Sequence, residues 1–270
     1  MESHYRDYFI RNIGIFTETE QEQLKTCTIA VAGVGGVGGL LIERLVRIGV
    51  GKIKMTDLGT FETSNINRQY GAAIKTIDRH KADVVYEQMI EINPSVKIEF
   101  DNKGINTMRD AELFIENCDL VIDEMDYGAW KESIYLQRAA RRKGIYYAFA
   151  GAIGFGALMV NFDPKGITLE EYNNLPPDQD LEQCQTISVP IERVLPVVPT
   201  YVTNALSMEM IQEIISGQRP VPTCSVGTGL ASILAASNAV NILLNKTEII
   251  KAPRYIYVDL LDYNFLTGSM

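Results

Sequence analysis

Residues 31–39 read VAGVGGVGG, between a β-rich run and a helical pattern. Gly33, Gly35 and Gly38 fit the spacing GxGxxG, with Gly36 inside it. Glycines so placed permit a tight turn and a close approach of backbone to phosphate oxygens at a helix N-terminus. Asp57 closes the run KIKMTD, 18 positions beyond the last glycine of the loop, where a carboxylate is placed to bind ribose hydroxyls. A nicotinamide dinucleotide and ATP satisfy these features equally. The stretch TFETSNINRQYG (60–71) separates them. It sets Asn65, Arg68 and Gln69 just beyond the aspartate, and hydride transfer has no evident need for an arginine there. Cleavage of a phosphoanhydride does, because a planar cation contacts several phosphate oxygens and offsets the charge that accumulates during displacement. Lys81 opens the next helical pattern and offers a second cation. Asp126, in DEMDYG, offers a hard oxygen ligand suited to Mg2+. Singly, each has a plainer role: Arg68 or Lys81 as a solvated charge, Asp126 as a helix cap, Asp57 as a strand-end polar group. Their joint order after the loop favours ATP.

The elements that must position these residues alternate through the first 150 positions. Short β-rich runs at 28–32, 52–57, 96–100, 119–123 and 145–149 are separated by helical patterns near 39–49, 80–92, 109–117 and 129–143. This is the βαβ rhythm of a parallel sheet, and a doubly wound Rossmann-like α/β fold is expected, with ligands at the carboxyl ends of the strands. After Gly151 the rhythm changes. A strand is expected at 156–163, a long surface excursion at 164–199, helices at 201–216 and 227–244, and a closing antiparallel pair of strands in YIYVDLL and DYNFL. One domain over 1–270 is expected, with 1–150 holding the nucleotide and 151–270 serving an acceptor and a dimer interface.

Composition narrows the function class. The chain has 270 residues, 46% of them apolar, and a net charge of -9, which argues against nucleic acid as a general partner. Cys27, Cys118, Cys184 and Cys224 form no CxxC pair, so structural zinc is not expected. His4 and His80 are too isolated for a metal site. The opening MESHYRDYFIRN lacks the pattern of a secretory signal, and a cytoplasmic location is expected. The uncharged stretch 220–245 is long enough to raise a membrane helix. Ser232, Ser237, Asn238 and Asn241 favour a core or dimer helix instead. The basic run at 141–143 suits a helix C-terminus, where cations offset the dipole.

The motifs VGGVGG, Asp57, SNINRQ (64–69), Lys81, INP (92–94) and D-E-M-D (123–126) together resemble the ubiquitin-activating-type adenylyltransferases, the family that includes ThiF, MoeB and HesA. The resemblance covers most of the chain. It implies that the glycine loop and Asp57 hold the ATP phosphates and ribose, that Asn65, Arg68 and Lys81 contact the phosphates, with Gln69 also in the nucleotide site, and that Asp126 binds Mg2+. It also implies a homodimer in which Arg11, within FIRNIG, reaches the nucleotide of the other subunit. The implied reaction activates a carboxylate, such as the C-terminus of a ubiquitin-like or sulfur-carrier protein or a peptide, as an acyl-adenylate. Two features depart from the family pattern: the zinc pairs are missing, and Tyr127 follows Asp126 where many members carry asparagine.

The cysteines bear on the fate of the adenylate. Cys224, in TCSVGTGLA, resembles the acceptor cysteine of ThiF-like members, and a helix N-terminus can activate a thiol there. Dehydratases of the same family that act on threonylcarbamoyladenosine in tRNA carry a similar stretch, so Cys224 need not be catalytic; such a dehydratase is the alternative function, favoured by the chain length and the missing zinc pairs and opposed by the acidic balance. Cys184, in EQCQTISVP, resembles the catalytic-cysteine segment of eukaryotic activating enzymes and is the weaker candidate. Cys27 and Cys118 flank core strands and read as structural. An NAD(P)-dependent oxidoreductase rests only on the loop and Asp57.

Overall fold

The computed structural model describes residues 2–177, 179–184, 187–216 and 218–270. The chain opens with α1 (Glu2–Phe9) and α2 (Glu18–Thr26). A capping box starts α2: the Thr17 hydroxyl accepts from the Glu20 N–H at 3.2 Å, and the Glu20 carboxylate accepts from the Thr17 N–H at 2.8 Å. The alternating part comes next: β1 (Thr28–Ala32), α3 (Gly38–Ile48), β2 (Lys52–Thr56), α4 (Lys81–Ile92), β3 (Lys97–Asp101), α5 (Met108–Phe114), β4 (Leu120–Asp123), α6 (Trp130–Lys143) and β5 (Tyr146–Ile153). Then come β6 (Gly156–Phe162), α7 (Leu169–Tyr172), α8 (Ile191–Val194), α9 (Thr200–Ala205), α10 (Met208–Ile215), α11 (Ser225–Leu244), β7 (Arg254–Asp259) and β8 (Asn264–Ser269).

One sheet runs in the order β3-β2-β1-β4-β5-β6-β7-β8. The first five of these strands pair parallel, and β6, β7 and β8 add antiparallel pairs. The expected doubly wound sheet with C-terminal antiparallel strands is therefore the fold. β1 and β4 lie at its centre and every residue in them is buried, which is why they read as unbroken apolar runs rather than alternating ones. Helices cover both faces: α3, α4 and α11 share one apolar core with the sheet, and α5, α6 and α7 share the other. The strand order reverses between β1 and β4, so a crevice opens at their carboxyl ends.

Three segments differ from expectation in detail. The helix expected over 201–216 is two, α9 and α10, because the Ser207 hydroxyl accepts from the Met210 N–H at 3.1 Å and starts a new helix. The excursion at 164–199 is not wholly a surface feature. Leu169, Tyr172, Leu181 and Val189 are buried, and Glu170, 3% exposed, pairs with Arg138 of α6 at 2.8 Å. Asp178, Gln185 and Thr186 of that excursion, and Gly217, lie outside the described residues. The uncharged helix α11 is long and apolar enough to cross a membrane, yet half of it is buried against α3, β5 and β6. In the basic run, Arg142 and Lys143 are exposed, while Arg141 donates to the Gly166 carbonyl at 2.6 Å.

Candidate active site

The glycine loop joins β1 to α3 at the crevice. Gly33 has φ +90°, and a Cβ there would lie 2.2 Å from the Glu124 carbonyl oxygen at the end of β4. A Cβ on Gly38 would lie 1.9 Å from the Gly33 carbonyl oxygen. Both positions therefore exclude any side chain. Gly35 is different: its Cβ would rest 3.7 Å from Gln69 Nε2, an ordinary contact. Among the described residues, the Gly35 and Gly36 N–H groups have no acceptor. Free donors at a helix N-terminus, on a loop that Gly33 and Gly38 keep free of side chains at its tightest points, form a cradle for phosphate oxygens.

Asp57 lies just past β2. Its Oδ2 accepts from the Val34 N–H and its Oδ1 from the Gly59 N–H, both at 2.7 Å. The carboxylate thus fastens the glycine loop to the chain beyond β2, and two of its roughly four lone-pair directions remain for ribose hydroxyls. Lys81 is the first residue of α4, and its Nζ lies 3.3 Å from a Cβ built on Gly59, which is itself 3.1 Å from Asp57 Oδ1. The cation and the carboxylate accordingly share one side of the cradle.

The segment 62–69 forms the opposite wall. Arg68 Nη1 donates to the Ser64 carbonyl at 3.1 Å and to Asn67 Oδ1 at 2.9 Å, and the arginine stem packs 3.6 Å from a Cβ on Gly36. Asn65 is buried and closes its own turn, its Oδ1 accepting from the Glu62 N–H at 3.0 Å. Gln69 is 8% exposed, and its Oε1 has no hydrogen-bond partner. An orphaned buried acceptor beside the loop fits a site completed by a ligand or water.

At the end of β4, Asp123 accepts from the Tyr147 hydroxyl at 2.5 Å and from the Met125 N–H at 3.0 Å. Burial raises its carboxyl above the ordinary range against these donors. Glu124 accepts from the Ala150 N–H of β5 at 3.1 Å, and burial holds its carboxyl well above the usual range, with Asp123 adding to the effect. Asp126 is exposed on the loop beyond β4. Among the described residues, no three His, Cys, Asp or Glu side chains come together as a metal site. Mg2+ in sites of this kind takes one or two carboxylates together with phosphate oxygens and water, so a single exposed aspartate is chemically compatible with it.

The remaining expected residues are placed apart from the cradle or at its rim. Arg11 is exposed in the turn Ile10–Asn12, and its neighbour Asn12 donates to the Ile48 carbonyl at 3.1 Å, at the far end of α3 from the glycine loop. Cys224 is the N-cap residue of α11, with its thiol 3.2 Å from the Gly154 carbonyl oxygen at the β5 to β6 turn. Cys184 comes after a short turn in the excursion, its thiol 3.3 Å from the Asp180 carbonyl oxygen. Cys27 and Cys118 are buried, and burial pushes each thiol up to about 11, which suits inert packing. Three contributors carried no isolated signal in the sequence: Glu124, Asn67 and Thr228, whose methyl lies 2.9 Å from a Cβ on Gly36.

The family model that matches this chain is described as "ThiF family" and covers residues 9–269. Among curated relatives, a tRNA threonylcarbamoyladenosine dehydratase of Bacillus subtilis is 34% identical over 138 residues, 51% of this chain and 53% of that protein. A probable molybdopterin-synthase adenylyltransferase of Porphyra purpurea is 26% identical over 235 residues, 85% of this chain and 56% of that protein. The chain spans about half the length of these two relatives. Among solved structures, Escherichia coli MccB with ATP superposes with a TM-score of 0.67 at 18% identity, over 99% of this chain and 69% of that one. At that identity the likeness is one of fold.

Proposed function

The chain belongs to the ThiF family, and from that premise we propose that it is an ATP-dependent adenylyltransferase that activates a carboxylate as an acyl-adenylate. The observation that carries this reading is the meeting of three features at one crevice: glycines with open N–H donors, Asp57 and Lys81 both beside Gly59, and the Arg68 wall. In this reading the loop N–H groups, Arg68 and Lys81 bind the phosphates, and Asp57 binds the ribose. Asn65 shapes the wall through its own turn, and Gln69 offers its unpaired Oε1 to the ligand. Asp126 would supply one oxygen ligand to Mg2+, and that ion would offset phosphate charge. The incoming carboxylate attacks the α-phosphate, so positioned cations suffice and no side chain must be the primary nucleophile.

The substrate in this reading is the C-terminus of a ubiquitin-like or sulfur-carrier protein, or a peptide. The chain works in the cytoplasm as one domain over 1–270 and as a homodimer, with Arg11 acting on the partner's nucleotide. Its position far from its own loop supports that arrangement. Cys224 is the preferred acceptor thiol because it caps α11, whose first turn borders the cradle; Cys184 is the second choice. The test is pyrophosphate exchange into ATP in the presence of a sulfur-carrier protein with a C-terminal glycine. Arg68→Ala and Asp126→Ala are each expected to lose about 100-fold or more with unchanged melting temperature. Full activity in both would sink the proposal.

A second reading, a dehydratase acting on tRNA, is favoured by the Bacillus subtilis relative and opposed by the net charge of -9. Salt-sensitive tRNA binding at micromolar protein would favour it over the first reading.

A further inference from the structure

Arg68 does not stand alone on its wall. The Asn67 side-chain amide holds two partners at once. Its Nδ2 donates to the Thr223 carbonyl at 2.9 Å, and its Oδ1 accepts from Arg68 Nη1 at 2.9 Å. Thr223 is two residues before α11 and 156 positions from Asn67 in the chain. One turn further on, Thr228 is 1% exposed and touches the same wall and the loop together. Its hydroxyl lies 3.5 Å from the Arg68 carbonyl oxygen, and its methyl occupies the space in front of Gly36. The helix itself is fixed: a Cβ on Gly227 would stand 2.3 Å from the Gly154 carbonyl oxygen, so α11 is seated directly on the β5 to β6 turn.

We propose that Asn67 is a positioning residue for Arg68, which it anchors to the entry of α11 so that this distant helix sets the guanidinium against the glycine loop. The inference rests on the adenylation reading and deepens it at the same site. Asn67 is exposed, and its amide bridges two elements without filling a core, so its removal should leave the fold intact. Its effect must pass through Arg68. When ATP arrives, the guanidinium keeps its Nη1 bond to Asn67, itself held on the Thr223 carbonyl, and turns its remaining N–H donors to phosphate oxygens. Restricting the arginine before binding lowers the ordering cost that the ligand must meet.

A double-mutant cycle tests this, using the full chain and titration with ATP and Mg2+. Asn67→Ala is expected to weaken ATP binding by about 3- to 10-fold, the worth of one hydrogen bond, without moving the melting temperature of the free protein. Adenosine, which has no phosphate, should bind both proteins equally. In an Arg68→Ala background, Asn67→Ala should cost nothing further, because residues that act as a unit are non-additive. Equal losses in both backgrounds, or no loss in the wild-type background, overturn the positioning role alone. A wild-type chain that binds no ATP overturns the adenylation reading and the role with it.

Discussion

Gly33 and Gly38 are fixed by contacts with backbone that cannot move aside, whereas Gly35 faces only the end of a glutamine side chain. Gly33→Ala is therefore expected to lose several kcal/mol of stability, through both its left-handed backbone and a clash. Gly35→Ala should fold normally, so any loss of nucleotide affinity there reports on the cradle. Thermal melts of the two variants check this, and equal melting temperatures would contradict it. Glu124 yields a prediction in pH. Its carboxyl is held well above the ordinary range by burial, so the native state binds more protons than the unfolded chain, and stability falls as pH rises beyond about 4.3. Glu124→Gln keeps an acceptor for the Ala150 N–H without that penalty. Its melting temperature relative to wild type should be higher at pH 8 than at pH 5; a constant difference would refute the assignment. The loop, Asp57 and SNINRQ were legible because each is a local pattern. Glu124 and Thr228 were not, because their meaning lies in contacts with residues far away in the chain.

Among the elements, α9 has a part that its sequence does not announce. The Tyr201 hydroxyl donates to Asp259 at the end of β7 at 2.7 Å and accepts from the Phe155 N–H at 2.7 Å. Asp259 is fully buried. Burial works against its charged form, but the Asp262 and Leu261 N–H groups and the Tyr201 and Tyr257 hydroxyls outweigh it and hold the carboxyl below its usual range. One carboxylate thus ties α9, β7 and the β5 to β6 turn on which α11 is seated. Tyr201→Phe is expected to cost about 1–2 kcal/mol and to loosen the turn that faces the Cys224 thiol. Urea unfolding measures the first effect and the rate of Cys224 alkylation the second; no change in either would show that the tie carries nothing. The split between α9 and α10 and the anchoring of the excursion through Leu169, Tyr172 and Glu170 were hidden for a related reason. The excursion's apolar residues are too scattered to show a helical or strand period, so only the packed structure reveals which of them are inside, and the break between α9 and α10 turns on the single Ser207 cap.

At the scale of the molecule, a single sheet gathers the candidate chemistry at one end. The reversal between β1 and β4 opens the crevice, the glycine loop floors it, and segments before α4 and α11 wall it. That architecture was legible from the alternation of strands and helices and from the closing strands, since periodicity survives without any knowledge of contacts. The choice between ATP and a dinucleotide was legible only from the polar residues after the loop, Arg68, Lys81 and Asp126 among them, and it is the central claim. It is tested most directly by melting the purified chain with ATP plus Mg2+, AMP, NAD and NADP, because a ligand that binds only the folded state raises the melting temperature. A nucleotide site built for adenylation predicts a rise with ATP and Mg2+ that Asp126→Ala diminishes, and none with NAD or NADP. A rise with NAD or NADP alone would contradict it.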